Sequence, residues 1–372
     1  MADQGNSKLR PWSVTFDDNG FFLADLDGRS EIRVETPLPL DNSFEGRPFE
    51  VHTLALRGLA ENSILEVHLS GSRIGLMVPA NALVSIEHDF ASKSFFHQCA
   101  YLIVKFVLEE SMMGRSRIVE AIESRSTLLL TDLFDENVCF LLISSTEIEN
   151  VPNFSLNRIL PSLVAYGFVP AETCSPAGLA WRSALPQGQK KLHLSLTSGD
   201  VDNHDIVSRL CVLAAISAPS TLMQFFYFYQ IIEHLLEGVL RHRLPIFART
   251  LIANLEQGSG NLHDEFLTVH EQMREKFRLK LLVTQYSDCT TSLDDLSLAS
   301  TEFLRSLHLK EQLGIGAVYA VRNFLFHQAR NLPAQGDRTL DEVVEAFAQF
   351  IPALLETYNF PTLDSSGSEL GQ

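Results

Sequence analysis

Cysteine is scarce in this chain, with five residues in 372. The five stand at wide spacings, and no two of them form the C-x-x-C pair of zinc knuckles and thioredoxin-type redox sites. The spacing therefore excludes both kinds of site and predicts free, buried thiols in a reducing cytosol. They are Cys99, Cys139, Cys174, Cys211 and Cys289.

The chain also lacks the short motifs that bind metals and cofactors. His270-Glu271 begins an H-E-x-x-H pattern, but Arg274 stands where the second zinc-binding histidine is required. The Gly-x-Gly pairs at 258–260 and 314–316 lack the third glycine and the preceding strand of a dinucleotide fingerprint. There is no Walker A sequence and no G-x-S-x-G elbow. We therefore expect neither a metal nor a cofactor.

Basic residues are in the minority, with 29 Lys and Arg against 46 Asp and Glu, for a net charge of −17. This balance excludes a protein that coats nucleic acid or membranes through general positive charge. A local basic cleft remains compatible with it. Residues 303–338 contain five basic and two acidic residues, a local charge of +3.

No targeting signal or membrane span is predicted. The first residues, MADQGNSKLRPW, are polar and contain no apolar h-region. Residues 210–232 carry no charge and would be long enough to cross a bilayer, but Ser217 to Thr221, including Pro219, interrupt them. Two shorter helices explain this segment better. We expect a cytoplasmic protein without a membrane partner.

The length predicts two domains. Residues 1–198 read as an α+β domain that is β-rich at its start, with a hairpin at Asp17-Asp18-Asn19-Gly20. Residues 199–360 read as an all-α helical bundle, and 361–372 as a disordered tail. For the first domain we expect a sensor or partner-binding role, with a regulatory partner or ligand.

One cluster of polar residues stands out in the helical region, within GIGAVYAVRNFLFHQAR. Asn323 and His327 are four residues apart and share a helix face. Arg322 lies about 140° from His327 around a straight helix, because each residue turns about 100°. A local distortion, or a second copy across a two-fold axis, would bring these two side chains together.

These residue types suit phosphodiester chemistry. A guanidinium binds phosphate and stabilises its developing negative charge. An imidazole can act as general acid or base near neutral pH. In this interpretation Arg322 binds the phosphate, His327 is the acid/base, and Asn323 orients them or the substrate.

The pattern Arg-Asn-x-x-x-His resembles the HEPN superfamily, whose signature is Arg, four to six residues, then His. The aromatic helix Gln224 to Leu236, which carries Glu233, is similar to the opening helix of HEPN-like domains in bacterial defence and stress proteins. The resemblance covers about residues 201–360. It implies a homodimeric helical bundle and metal-independent endoribonuclease activity, as in a regulated, toxin-like effector of antiphage defence or stress response.

Four further residues are candidates for supporting roles. Glu233 lies on an apolar helical stripe with Tyr229, and a carboxylate there is costly unless it is paired. We therefore predict that it holds Arg322 or His327 in place; the alternative is that it reaches water at the edge of the bundle. Arg330 and Arg338 follow the motif and are candidates for RNA binding.

Three other interpretations of the motif remain open at this stage. Its polar residues could form the exposed side of an amphipathic helix. The domain could be a non-catalytic HEPN-type dimerisation or interaction module, which the acidic balance favours. It could also be a nucleotide-binding regulator that uses the same arginine without cleaving RNA.

Overall fold

The structure, a computed structural model, describes residues 12–17, 20–25, 31–44, 48–56, 63–110, 127–129, 137–171, 188–217, 220–257, 262–332 and 337–361. The tail predicted to be disordered, apart from residue 361, lies outside the described residues. The chain folds as two units. One comprises residues 1–152 and 168–193, and the other comprises residues 153–167 and 194–372.

The first unit contains a small four-stranded sheet. It is built from β1 (Trp12–Asp17), β2 (Gly20–Asp25), β3 (Glu31–Glu35) and β7 (Thr127–Leu129), in the order β1-β2-β3-β7. Strands β1 and β2 pair antiparallel with Asp17 opposite Gly20, so the predicted hairpin is confirmed. Strand β7 joins β3 in parallel.

A six-stranded sheet forms the larger part of this unit. Its order is β10-β5-β6-β8-β4-β9, and β8 pairs antiparallel with both β6 and β4. Every residue of β8 before Ser144 is buried, which fits its uninterrupted apolar sequence VCFLLI. The strands are β4 (Phe49–Ala55), β5 (Leu65–Leu69), β6 (Ser72–Pro79), β8 (Val138–Ser144), β9 (Val169–Pro170) and β10 (Lys191–Leu194).

Helix α1 (Ser94–Glu110) supplies the other side of the core. Phe96 and Ile103 of α1 are fully buried in one cluster with Phe21 of the small sheet and Phe140 of the large one. A short helix, α2 (Ser145–Ile148), follows β8. The α+β character predicted for the N-terminal region is therefore confirmed.

The second unit is helical, as predicted. It contains α3 (Leu156–Ala165), α4 (His204–Ile216), α5 (Thr221–Gln257), α6 (Leu262–Met273), α7 (Glu275–Thr284), α8 (Thr290–Ser306), α9 (Ile315–Gln328) and α10 (Asp337–Thr357). Its core is rich in stacked and edge-packed aromatic rings, with Phe225 of α5 against Phe347 of α10 at 5.3 Å between ring centroids.

The boundary between the units differs from the one expected at residues 198 and 199. Helix α3 belongs to the helical unit, where Asn157 donates a hydrogen bond to Asp205 at the start of α4 at 2.6 Å. The buried guanidinium of Arg158 donates to the carbonyl oxygen of Thr197 through two of its nitrogens, at 2.9 and 2.6 Å. Sequence order placed this helix with the strands, but its polar contacts tie it to the bundle.

The uncharged segment 210–232 is divided as expected, since α4 ends at Ile216 and α5 begins at Thr221. Among the helices that the structure describes, none combines the length and the hydropathy that a bilayer span requires.

The thiols of Cys99, Cys139, Cys211 and Cys289 are free and buried, and burial raises the pKa of Cys99 to about 12. Cys174 lies outside the described residues.

Helix α5 has two unlike halves. Its 37 residues extend about 55 Å at 1.5 Å per residue. The half up to Leu240 contributes many buried side chains to the bundle, whereas no described side chain from residue 241 onward is buried. Together with α6, this outer half leaves large apolar side chains exposed, namely Leu244, Ile252, Leu255, Phe266, Leu267 and Met273.

Candidate functional site

Helix α9 carries the predicted motif and has two distinct faces. Its buried face packs into the bundle through Ala317, Val318, Val321, Phe324 and Leu325. The opposite face is open or half-buried, and it contains every polar residue of the motif. In chain order, this open face consists of Tyr319, Arg322, Asn323, Phe326, His327 and, just beyond the helix, Arg330.

Arg322 lies at one edge of the open face and is held by two carboxylates from other helices. Its Nη2 donates to Oε1 of Glu233 on α5 at 3.2 Å and lies 3.6 Å from Oε2 of Glu275 at the start of α7. Its Nη1 donates to Oδ1 of Asn323 at 3.2 Å. The arginine thus joins α5, α7 and α9, and the predicted contact between Glu233 and Arg322 is present.

Two aromatic rings lie against the same guanidinium. The Cζ atom of Arg322 is 4.4 Å from the ring centroid of Phe326 and 5.6 Å from that of Tyr229. Cation–π attraction of this kind adds to the ion pairs, because both partners are partly removed from water. Phe326 in turn packs edge-on against Phe226 at 4.8 Å.

Tyr229, predicted as a supporting residue, contacts the cluster through its hydroxyl group. The hydroxyl donates to Oε1 of Glu275 at 2.8 Å. Burial raises the pKa of Tyr229, and the hydrogen bond to the Glu275 carboxylate raises it further. The phenol therefore stays protonated and acts here as a donor that positions Glu275, not as a base.

Arg322 remains charged in this setting. Burial opposes its positive charge, but the hydrogen bond to Glu233 and the charges of Glu275 and Glu233 raise its pKa above the ordinary value. With one cation and two carboxylates, the cluster carries a net charge of −1. The Nε of Arg322 is buried and has no hydrogen-bond partner among the described residues.

His327 lies apart from this cluster. It is exposed, and within the described part of the chain its ring makes no hydrogen bond or ion pair. Helix α9 continues without a break from Ile315 to Gln328, so the angle of about 140° between Arg322 and His327 is kept. A single protomer therefore does not bring the arginine and the histidine together.

The remaining predicted residues flank the motif. Arg330 is exposed at the end of the open face, within the 3-10 turn Ala329–Asn331. Arg338 belongs to the first turn of α10, but its side chain lies outside the described residues.

Glu275 is the site residue that sequence reasoning missed. It stands between Arg274 and Lys276 in a run that reads as a basic cluster. Its partner Tyr229 is 46 residues away, so no helical spacing connects the two.

Among the described residues, no group of three His, Cys, Asp or Glu is arranged to hold a metal ion.

Comparisons of this chain with protein-family models, with curated proteins and with solved structures give no match.

Proposed function

We propose that the helical unit is HEPN-like and that the protein is a metal-independent endoribonuclease whose site is completed by a second copy. The observation that carries this proposal is the open face of α9. On it, His327 is exposed and has no hydrogen bond or ion pair among the described residues; it shares a surface with Arg322 and Asn323, yet stands too far around the helix to meet Arg322 in one chain. A two-fold axis across this face would set each arginine near the histidine of the other copy.

The chemistry of such a site needs only these side chains. One histidine takes the proton of a ribose 2′-hydroxyl, and the 2′-oxygen forms a bond to the adjacent phosphorus. The bond from phosphorus to the 5′-oxygen breaks, and the histidine of the second copy gives that oxygen a proton. Arg322 stabilises the negative charge on the phosphate during this step. The products are a 2′,3′-cyclic phosphate and a free 5′-hydroxyl.

The contacts of Arg322 leave it able to turn toward a phosphate. Charge-assisted N–H···O⁻ bonds are typically about 2.7–2.9 Å long. The distances from Nη2 to Glu233 and Glu275 are 3.2 and 3.6 Å, longer than those of strong pairs. The Nε of Arg322 has no hydrogen-bond partner in the described part of the chain, and a phosphate oxygen would supply one.

Exposed apolar side chains around the motif support association of two copies on this face. Phe326 is 44% exposed in the middle of the motif, and Met223 on α5 is 39% exposed. Met223 and Phe226 share a face of α5 because they are three residues apart, and Phe226 packs against Phe326. An aromatic anchor beside a polar site is typical of protein interfaces.

The test uses the full-length protein with a mixed RNA pool in EDTA. We expect cleavage that leaves 2′,3′-cyclic phosphate ends, and a loss of about 10²–10⁴-fold in rate for His327→Ala. His270→Ala, at an exposed histidine of α6, is the matched control and should cleave normally. Unchanged cleavage by a folded, dimeric His327→Ala protein would overturn the mechanism.

The proposed role in the cell is that of a regulated, toxin-like effector in antiphage defence or stress response. Such an effector would arrest the growth of a bacterial host when its activity is released. Overexpression of the wild-type protein should therefore slow growth, and His327→Ala should not, at equal protein level. Growth arrest by both proteins would contradict the role.

A second candidate is a non-catalytic interaction module. The observation that favours it is the net charge of −1 around Arg322, because two carboxylates repel an incoming phosphate. In this case the arginine is a structural link between three helices. A wild-type protein that forms dimers but leaves every RNA of the pool intact would favour this candidate.

A further inference from the structure

A pocket of about 1140 Å³ opens beside the Arg322 cluster within the helical unit. It lies between α7, the segment 311–314 and the first turns of α9, with Leu293 of α8 at one wall. Its volume slightly exceeds the range of roughly 300–1,000 Å³ that is usual for small-molecule sites. Glu275 lines the pocket and also contacts Arg322, so the two places are neighbours.

The carboxylates of the pocket are all occupied. Glu271 pairs with Arg274 at 2.8 Å, and Glu311 pairs with Arg305 at 2.9 Å. Glu275 accepts the hydroxyl of Tyr229 and faces Arg322. Each acidic group therefore has a partner, although Arg322 is shared with Glu233 and Arg305 is shared with Glu302.

Two lysines of the pocket are not compensated in this way. Lys276 and Lys280 lie four residues apart on the same face of α7, and both line the cavity. Their ammonium groups have no hydrogen bond or ion pair within the part of the chain that the structure describes. Because neither ammonium group is held in an ion pair there, both can contact a phosphate without breaking an existing contact.

The beginning of α9 adds hydrogen-bond donors to the pocket. Gly314 is the residue that precedes the helix, and it has no side chain to cap the first N–H groups. There is also no acidic residue in the first turn. The N–H groups of Ile315 and Gly316 thus remain available at the positive end of the helix dipole, and both residues line the pocket.

Much of the remaining wall is apolar, and it includes two aromatic rings, those of Phe277 and Tyr319. Leu279, Val283, Leu293 and Ile315 line the cavity together with Tyr319. A small inorganic anion would leave this surface unused, whereas a ligand with a flat ring and a phosphate would use both parts.

We propose that this pocket binds a nucleotide, with its phosphate at Lys276, Lys280 and the start of α9 and its base against Tyr319. The nucleotide is either free or part of an RNA strand, since the pocket is open to solvent. Base stacking on an aromatic ring together with a cationic phosphate site is a recurring means of binding nucleotides. The proposal does not require RNA cleavage at Arg322.

The experiment is calorimetric titration of the full-length protein with adenosine monophosphate, adenosine and inorganic phosphate. We expect the monophosphate to bind, and adenosine and phosphate to bind at least about tenfold more weakly, because each uses one half of the pocket. The double variant Lys276→Gln/Lys280→Gln should weaken binding of the monophosphate by about tenfold or more. Lys310→Gln, outside the pocket, is the control and should bind as the wild type does.

Two further arms make the outcome decisive. Tyr319→Leu should reduce the preference for the monophosphate over phosphate while its thermal unfolding curve stays cooperative. A 2′-O-methyl oligoribonucleotide, which resists cleavage through the 2′-oxygen, separates the two sources: binding of the oligonucleotide without the monophosphate assigns the pocket to a strand. If neither ligand binds at millimolar concentration, or if the double lysine variant binds both as the wild type does, the proposal is wrong. Cleavage of RNA by such a protein would leave the proposed function standing.

Discussion

An ion pair of the sheet unit and an ion pair of the helical unit differ in their exposure to water. In the sheet unit, the pair between Lys190 and Asp89 has side chains that are 80% and 76% exposed, and such pairs contribute little to stability. In the helical unit, Arg322 is only 17% exposed and meets carboxylates from two other helices. Keeping a charge in that position is costly. The sheet unit has an apolar core cluster, and the helical unit also contains a partly buried cluster of charges, which is kept at a stability cost.

The strongest way to test the packing side of this comparison is Gly75→Ala in β6. A Cβ atom at this position would collide with the carbonyl oxygen of Leu142 on the adjacent strand β8. Because that oxygen belongs to the backbone of a central strand, relief requires the two strands to separate. We expect a loss of about 3 kcal/mol in the free energy of unfolding, measured by urea denaturation.

Gly71→Ala is the matched control for that substitution. Gly71 has a positive φ of 84°, but no atom lies within 4 Å of a Cβ built there. Only conformational strain should act, at a cost of about 1–2 kcal/mol. Equal losses for the two variants would show that the sheet unit does not depend on the close approach of β6 and β8.

The polar side of the comparison is tested by Arg322→Met. This change leaves Glu233 and Glu275 facing each other without a cation, at side-chain exposures of 41% and 23%. We expect a loss of about 2 kcal/mol, below the 3–5 kcal/mol of fully buried pairs because both carboxylates retain contact with water. Arg305→Met, at an exposed arginine paired with Glu302 and Glu311, should cost much less. If Arg322→Met were more stable than the wild type, the partly buried arginine with its two carboxylates would destabilise the folded protein.

A smaller loss is expected from Gly238→Ala in the inner half of α5. A Cβ there would lie 2.6 Å from the hydroxyl oxygen of Tyr358, a ring held between Tyr286 and Phe360. Helix propensity favours alanine by about 1 kcal/mol, and overpacking of this rigid ring costs about 1–3 kcal/mol. We therefore expect a net loss of about 1 kcal/mol in chemical denaturation.

Gly316→Ala in α9 should instead raise the free energy of unfolding. Its new methyl group would meet only the side chain of Gln312, at 3.2 Å, which can move aside. Propensity should then dominate, with a gain of up to about 0.5 kcal/mol. A gain at both glycines would mean that the ring of Tyr358 yields as readily as a glutamine side chain.

Local signals in the sequence predicted the fold classes and several elements. The turn chemistry at Asp17 to Gly20 specified a hairpin, and the polar break after Ile216 separated α4 from α5. Helix α3 was assigned to the wrong side of the boundary, since its partners at Thr197 and Asp205 follow it only after an intervening excursion into the sheet unit. The pattern of apolar residues in α3 predicts a helix with a buried face, but it does not indicate which unit buries that face.

The site shows the same limit. Glu233 could be foreseen because a carboxylate on an apolar stripe demands a partner, although its partner Arg322 is 89 residues away. Glu275 could not, because its sequence neighbours are basic. The local charge of +3 over residues 303–338 was therefore misleading around Arg322: folding adds two carboxylates from distant helices, and Arg305 is paired within its own segment. The net charge of a sequence segment therefore does not give the net charge around one of its residues in the folded protein.

The continuity of α5 has a mechanical consequence. Tyr229 and Glu233, which contact the Arg322 cluster, and the exposed Ile252 and Leu255 belong to one uninterrupted helix. A load applied to the outer half therefore reaches Glu233 along a single rod, with no loop between them to absorb the displacement. Pro245 is the compliant point of that rod, because its missing N–H removes one hydrogen bond from the helix. A displacement of the outer half would therefore have to pass through the turn around Pro245 before it reached Glu233.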